Sequence, residues 1–249
     1  MVIAVDRLHR TYGDVTAVDD LSFTVEAGEI VGLIGPNGAG KTTTLRSMSG
    51  ILRPTSGRVL IAGFDMVQAP EQAKRRLAFM PDEPHLFEYM TVEEHLRLIG
   101  RLYGVPDVIA RAQPLLDELE LRGKERSLPG ELSRGMRQKV IIACGLVRNP
   151  LVLLFDEPLT GLDPIGMRRM RDTITRRARE GAAILLSSHL LPLVQEVCTR
   201  VIIMHRGRKV ADGSVSDLAA RADLVDAGSS LEDIFLRVTG HLSPSDPRR

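Results

Sequence analysis

The sequence lacks several features that mark particular classes of protein. It has only two cysteines, Cys144 and Cys198, both in apolar surroundings, so buried reduced thiols are favoured over a disulfide or a metal site. The 33 Lys and Arg residues nearly balance the 32 Asp and Glu residues, and the formal net charge of +1 provides no global field for nucleic acid or acidic lipid. No apolar run approaches the roughly 18 to 20 residues that cross a bilayer. Any role at a membrane must therefore come through a partner.

What remains is the pattern of one α/β domain, which we predict over residues 1–240. VIAV, DVTAV and LSFTV predict three strands of a small antiparallel sheet at the N-terminus. EIVGLIG is a continuous apolar run, typical of a strand that is buried on both faces of a mostly parallel sheet. Apolar runs at 151–155, 182–188 and 201–204 predict further strands, and HRGRKV predicts a hairpin into a last one.

A helical subdomain is predicted to interrupt this pattern at about 84–148. Thr91 and Glu94 have the spacing of a capping box, and Gly104 is a predicted C-terminal cap for the helix between them. Ser133 is predicted to cap a later helix of the same subdomain. Because strand-like apolar runs follow this segment, we expect one core with an inserted helical subdomain rather than two domains.

The end of the chain predicts a helical extension at about 214–240. Its apolar ridge lies in LEDIFLRVTG. The tail that follows, at 241–249, is polar and rich in proline, and we expect it to be disordered.

The first candidate site is the glycine-rich turn that follows EIVGLIG. Gly35, Gly40, Lys41 and Thr42 match the phosphate-loop spacing G-x-x-x-x-G-K-[ST]. Glycines allow successive backbone N–H groups to curl around a polyphosphate, and the helix that follows points its positive end at it. In this setting Lys41 would reach the β- and γ-phosphates, and the Thr42 hydroxyl would serve Mg²⁺.

A pair of carboxylates follows the strand at 151–155. Asp156 stands where a phosphate-loop fold places the carboxylate that supports Mg²⁺, and Glu157 is a candidate to polarise the attacking water. The alternative is a solvated acidic pair before a turn.

One histidine, His189, follows the apolar strand at 182–188. Its polar side chain would emerge at the nucleotide edge of the sheet, where it would hydrogen-bond the γ-phosphate. The other five histidines lack such a setting and are predicted to lie on the surface: His9, His85, His95, His205 and His241.

Together these segments resemble the ATP-binding-cassette (ABC) ATPases, the nucleotide-binding subunits of ABC transporters. In order, the chain has GPNGAGKTT, MPDEP, LSRGMRQ, LLFDEP, TGLDP and SSH. LSRGMRQ corresponds to the signature motif of that family, which is seldom found outside it. The resemblance implies an α/β phosphate-loop NTPase core with a mostly parallel sheet and flanking helices, an N-terminal antiparallel β-subdomain and an inserted α-helical subdomain. The form of LSRGMRQ and the closing LEDIFLRVTG resemble the efflux (ABC-2-like) subgroup.

The resemblance also implies a role for each matching residue. Two chains would pair head to tail around two ATP molecules, so that each signature completes the site of the other chain. Tyr12 would stack on adenine, Asp163 would lie at the dimer seam, Glu157 would act as general base, and His189 would sense the γ-phosphate. The ATP-binding loop would be Gly35, Pro36, Asn37, Gly38, Ala39, Gly40, Lys41, Thr42 and Thr43; the signature acting in trans would be Ser133, Arg134, Gly135 and Met136; the Mg²⁺ ligands would be Thr42, Asp156 and Asp82.

Asp82 is a departure from the family pattern. MPDEP carries aspartate where the family usually has a glutamine whose oxygen reaches Mg²⁺. A carboxylate is a good Mg²⁺ ligand but is one methylene shorter, so Asp82 either serves the metal or is a solvent-facing turn residue.

The resemblance implies partners at the cytoplasmic side of a cell membrane. They are a separate membrane-spanning subunit and a second ATPase chain, most simply an identical one. Leu86, Phe87, Tyr89 and Met90 are either core residues or part of a groove for a cytoplasmic helix of that partner. The chain is thus predicted to be the ATPase of an exporter.

Three other classes of protein share parts of this pattern. A regulatory ATPase that acts on a membrane complex without moving cargo stays open. Nucleic-acid ABC ATPases are disfavoured because the chain has no coiled coil, zinc-binding cysteines, tandem cassette or basic stripe. A GTPase is disfavoured by the lack of an N-K-x-D motif.

Overall fold

The structure is a computed structural model that describes residues 1–221 and 230–240. Within these ranges, ten strands form two sheets. They are β1 (Ile3–Tyr12), β2 (Val15–Val25), β3 (Ile30–Ile34), β4 (Ser56–Ile61), β5 (Phe64–Asp65), β6 (Leu77–Met80), β7 (Val152–Asp156), β8 (Ala183–Ser187), β9 (Arg200–His205) and β10 (Arg208–Gly213).

The larger sheet has the order β10-β9-β3-β8-β7-β6, and all its pairings are parallel except that of β9 with β10. Every residue of β3, β7 and β8 is buried, as their uninterrupted apolar sequences predict for central parallel strands. Side chains of β3 alternate between two cores: Val31 and Leu33 pack towards the smaller sheet, whereas Ile30 and Ile34 pack among the helices.

The smaller sheet is antiparallel, with the order β2-β1-β4-β5. The prediction of separate strands at DVTAV and LSFTV was wrong, because both segments belong to the single strand β2. Gly13, with a φ of 55°, makes a tight turn, so Tyr12 pairs directly with Val15 and the chain runs straight back along β1. The β1–β2 pairing has register shifts between Val5 and Leu8, between Leu8 and Arg10, and between Arg10 and Thr11. Such shifts mark β-bulges or similar irregularities.

Nine α-helices and a short 3-10 helix, Pro129–Glu131, lie within the described ranges. The α-helices are α1 (Lys41–Met48), α2 (Pro70–Arg76), α3 (Val92–Tyr103), α4 (Val108–Glu118), α5 (Arg134–Leu146), α6 (Pro164–Arg179), α7 (Leu191–Val197), α8 (Val215–Arg221) and α9 (Leu231–Gly240). The segment α3–α5 stands between β6 and β7, and the limits of a subdomain at 84–148 stay a prediction.

The predicted helix ends are confirmed by their hydrogen bonds. Thr91 and Glu94 form a reciprocal capping box at the start of α3, and Gly104 ends that helix with a φ of 66°. Ser133 accepts the N–H of Met136 at 3.2 Å and begins α5. Helix α2 and strand β6 were not predicted; their sequence, PEQAKRRLAFM, is charged and has little periodicity.

The surface prediction for His95 was wrong. Its side chain is buried, with 5% exposed, and both ring nitrogens are hydrogen-bonded. Nδ1 lies 2.8 Å from the Thr91 carbonyl oxygen, and Nε2 accepts the N–H of Phe87 at 2.9 Å. Because both bonds are local, His95 fixes the loop that precedes α3 against the first turn of that helix.

The ends of the chain and the cysteines complete the description. Helices α8 and α9 lie in the predicted extension, and the predicted disorder of 241–249 falls outside the described residues. None of the described helices is long and apolar enough to cross a membrane. Cys144 and Cys198 are free thiols, as predicted, and burial raises the pKa of each to about 12.

Candidate active site

The phosphate loop joins β3 to α1, as the sequence predicts. Gly40 caps α1 in the left-handed conformation, with a φ of 100°. Two positions allow no side chain, because a Cβ on Gly35 would lie 2.4 Å from the Met204 carbonyl oxygen and one on Gly40 would lie 2.3 Å from that of Ala17. The loop therefore packs closely against β9 and β2. This close packing fixes its backbone N–H groups at the helix N-terminus.

We expect Gly35→Ala to destabilise this loop. Forcing a methyl group against the Met204 carbonyl should lower the melting temperature by roughly 4–10 °C, as overpacking does in a domain of this size. ATP binding should weaken with it. Gly130→Ala is the matched control, because a Cβ there meets no atom within 4 Å. Equal melting temperatures for the two variants would contradict the tight packing of the loop.

Lys41 is held inside the phosphate loop. Its Nζ donates to the carbonyl oxygens of Gly35 at 2.8 Å and Pro36 at 3.2 Å, and the residue is only 8% exposed. Burial lowers the pKa of its ammonium group from the usual value, while the negative charges of Glu157 and Asp156 act in the opposite direction. An incoming phosphate would therefore meet a cation that is already placed and partly desolvated.

Asp156 lies at the end of β7 and is 2% exposed. One of its oxygens, Oδ1, accepts the Thr42 hydroxyl at 3.1 Å and the buried Ser187 hydroxyl at 2.7 Å. Two of the three predicted Mg²⁺ residues, Thr42 and Asp156, are thus neighbours. Sequence reasoning missed Ser187, which precedes Ser188-His189 in SSH; a hydroxyl at the end of a buried strand was the available signal.

Glu157 follows directly and has the left-handed conformation, with a φ of 51°. Such backbone strain in a non-glycine residue persists only where its surroundings enforce it. Here the Glu157 N–H donates to both the backbone oxygen of Ser187, at 3.2 Å, and its hydroxyl, at 3.1 Å. Ser187 at the end of β8 therefore holds the Glu157 backbone in this conformation.

His189 contacts this glutamate. Its Nδ1 lies 2.8 Å from Glu157 Oε2, and its backbone N–H donates to the same oxygen at 3.3 Å. The His189 side chain is 55% exposed, whereas that of Glu157 is 16% exposed. The structure brings the predicted base and the predicted γ-phosphate residue together as a pair.

A cavity lies beside His189, between the phosphate loop and α9. Its volume is about 320 Å³, and it is bordered by the phosphate loop, His189 and Phe235 of α9. Sequence reasoning did not single out Phe235.

The other predicted nucleotide residues are Tyr12 and the rest of the phosphate loop. Tyr12 is 44% exposed, with the Arg10 guanidinium 4.6 Å from its ring centroid. Along the loop, Pro36, Asn37 and Gly38 lie at its outer edge, Ala39 is buried, and Thr42 and Thr43 stand in the first turn of α1.

The signature forms a second cluster, at the N-terminus of α5. Ser133 caps the helix, and a Cβ on Gly135 would lie 3.0 Å from the Gly161 carbonyl oxygen, so signature and TGLDP loop pack backbone to backbone. Met136 packs partly buried against the core. Asp163 caps α6 by accepting the N–H of Gly166 at 3.0 Å.

The signature and the phosphate loop are not hydrogen-bonded to each other directly. No hydrogen bond or ion pair of the described residues joins 133–136 to the phosphate loop at 35–43. Asp82 belongs to the second cluster: its Oδ1 lies 3.3 Å from Nη2 of Arg134. Its predicted Mg²⁺ role stays a prediction, and the same holds for the other assigned roles.

A parallel sheet with a phosphate loop at the carboxyl end of β3 and an Asp-Glu pair at that of β7 defines a phosphate-loop nucleoside triphosphatase. Residues 18–160 match the family described as ABC transporter. The chain belongs to that family, as an ATP-binding subunit with ATPase chemistry.

Similar proteins support this assignment. The ABC transporter ATP-binding protein NatA of Bacillus subtilis is 41% identical over 207 residues, which cover 82% of this chain and 84% of NatA. The doxorubicin resistance ATP-binding protein DrrA of Mycobacterium tuberculosis is 37% identical over 257 aligned positions, covering 100% of this chain and 78% of DrrA. A solved structure of an ATP-binding subunit of an ABC transporter has a TM-score of 0.91 at 36% identity, covering 96% of this chain and 100% of that one. The resemblance to the efflux subgroup is thereby confirmed.

Proposed function

We propose that this chain is the ATP-hydrolysing subunit of an exporter, closing as a head-to-tail dimer around two ATP molecules and driving a separate membrane-spanning partner. One observation carries the proposal: the phosphate loop, Asp156 and the Glu157–His189 pair form one cluster, and no hydrogen bond or ion pair of the described residues joins the signature of the same chain to the phosphate loop. A second chain is needed to bring a signature to that cluster.

ATP fits the first cluster. Backbone N–H groups of the loop and the N-terminus of α1 bind the phosphates, Lys41 binds the terminal ones, and Tyr12 stacks on the adenine. Mg²⁺ fits Thr42 and Asp156, because it is usually held by one or two protein oxygens together with phosphates and waters. When bound, it neutralises the charge that develops on the phosphates during transfer.

Hydrolysis then depends on the Glu157–His189 pair. Glu157 accepts the proton of the attacking water as its oxygen bonds the γ-phosphorus and ADP leaves. The His189 ring holds the Glu157 carboxylate through Nδ1, and its Nε2 meets the γ-phosphate. From the second chain, Ser133 and Gly135 present a hydroxyl, backbone N–H groups and a positive helix end to the same phosphate, with Arg134 and Met136 beside them and Asp163 at the seam. Loss of the γ-phosphate removes the group that holds the dimer closed.

The membrane partner docks on one face of α3. Ile99 and Tyr103 are four residues apart, are only partly buried and share that face. Phe87 stacks on the His95 ring with centroids 5.9 Å apart and is 62% exposed, and Tyr89 is 90% exposed, so the interpretation that both are core residues was wrong.

A cavity continues this surface. It has a volume of about 350 Å³, and its lining includes Ile51, Phe79, Ile99 and Tyr103, of which Ile51 is 61% exposed. An apolar helix from the partner fits such a groove. The chain would then lie peripherally, on the cytoplasmic side of the membrane.

We expect Phe87→Asp to separate hydrolysis from docking. The exposed side chain contributes little to the core, so the variant should fold and keep the ATPase rate of the isolated chain. A buried carboxylate in the partner interface should abolish both co-purification with the membrane protein and stimulation by it.

The matched control is Leu236→Asp, which alters a similarly exposed apolar residue of α9, a helix that packs against α7 and α8. This variant should retain the partner. Normal partner stimulation of Phe87→Asp would contradict docking at α3, and a chain that purifies with no membrane protein at all would contradict the exporter proposal.

A further inference from the structure

The carboxylate of Asp82 is turned towards the signature helix. Arg134 donates from Nη2 to Asp82 Oδ1 at 3.3 Å, and Gln138 donates from Nε2 to the Pro81 carbonyl oxygen at 3.0 Å. Arg134 and Gln138 are four residues apart in α5 and therefore lie on the same side of that helix. The loop that follows β6 is thus attached to the signature helix at two consecutive residues.

This loop begins beside the candidate ATP site of its own chain. Met80, the last residue of β6, pairs with Phe155 of β7, which directly precedes Asp156. On its other side, Arg134 lies over the TGLDP loop, since a Cβ on Gly161 would come within 3.7 Å of the Arg134 Cδ and Nε atoms. The Asp82–Arg134 pair therefore connects the edge of one ATP site with the signature.

The pair is too exposed to serve stability. The side chains of Asp82 and Arg134 are 44% and 52% exposed. Exposed ion pairs typically contribute little to stability, because water competes for both partners. Substituting either residue should leave the fold intact. We therefore expect the pair to affect the geometry of the signature rather than the stability of the fold.

We propose that Asp82 is a positioning residue for the signature, acting through Arg134 rather than through Mg²⁺. This inference rests on the proposed function, in which the signature completes the ATP site of a second chain. The pair then couples the two sites of the dimer: the loop at one site sets the placement of the signature at the other. Misplacing a catalytic group by about 1 Å can cost up to roughly 100-fold in rate.

A double-mutant cycle tests the pair. Purified Asp82→Asn, Arg134→Gln and double-variant chains are assayed for kcat and KM for ATP and for the free Mg²⁺ at half-maximal rate. Because the exposed pair is weak, its loss should misplace the signature only part of the time, so we expect each single variant to lose roughly 2- to 5-fold in kcat. The double variant should lose no more than the worse single one. The Mg²⁺ requirement should not move, and Arg134→Lys, which keeps a donor for Asp82, should recover most of the kcat.

The matched control is the Asp117–Arg122 pair, at 3.1 Å and with a similarly exposed aspartate. Asp117→Asn and Arg122→Gln should keep the parental kcat. Losses that multiply in the double variant, or a Mg²⁺ requirement shifted by Asp82→Asn alone, would overturn the inference. Failure of the proposed function is recognised by a separate assay, the ATPase rate of Glu157→Gln. A rate equal to the parental one would mean that the proposed function is wrong, whatever the double-mutant cycle gives.

Discussion

An equal mixture of Ser133→Arg and Lys41→Ala chains is expected to hydrolyse ATP, although neither chain does so alone. In the mixed dimer both lesions fall on one site, because the altered signature faces the altered phosphate loop. The other site combines an intact phosphate loop with an intact signature. Half the dimers are mixed and each has one of two sites intact, so the rate should return to about a quarter of the parental value at most.

The control for this experiment mixes Lys41→Ala with a chain that carries both substitutions. No dimer in that mixture has an intact phosphate loop, and the rate should stay at background. Parental activity in the Ser133→Arg chain alone would mean that the signature takes no part in the site.

Glu157→Gln is expected to bind ATP and fail to turn it over. The amide nearly matches the carboxylate in shape, and its oxygen can still meet His189 Nδ1, so the local structure should persist. What it loses is the capacity to accept a proton from water, which typically costs about 10²–10⁴-fold in rate.

ATP binding and turnover are measured on the same preparation, by equilibrium nucleotide binding and by phosphate release. Glu180→Gln is a suitable control, since Glu180 is exposed and pairs with Arg177 at 3.1 Å, at the end of α6. Turnover of Glu157→Gln within a few-fold of the parent would remove Glu157 from the role of general base.

Local patterns in the sequence were enough for much of the fold. The phosphate loop, the capping box at Thr91 and the buried run that ends at Asp156 each depend on residues close together in the chain. These features depend on short-range properties of the chain: glycine conformations, helix caps and the burial of a continuous apolar strand. This is why the mostly parallel sheet and its nucleotide edge could be predicted.

The contacts that complete the site were not predictable in this way. Ser187 lies 31 residues from Asp156, and Arg134 lies 52 residues from Asp82. These pairs meet only because β8 lies beside β7 and because α5 runs past the end of β6. The sequence contains the side chains, but the tertiary arrangement decides which donor meets which acceptor.

His95 shows the same limit on a smaller scale. A polar residue on an amphipathic helix is normally assigned to the exposed face. Here the Phe87 N–H and the Thr91 carbonyl satisfy both ring nitrogens, so burial leaves no polar atom unpaired.

The central claim, that the ATP site is completed by a second chain, is tested most directly by the mass in solution of the Glu157→Gln chain with Mg-ATP. Light scattering during size-exclusion chromatography should give the mass of one chain without nucleotide and twice that mass with Mg-ATP. Adding Ser133→Arg to the same chain should abolish the increase. A Glu157→Gln chain that binds ATP yet keeps the mass of one chain at every nucleotide concentration would contradict the account.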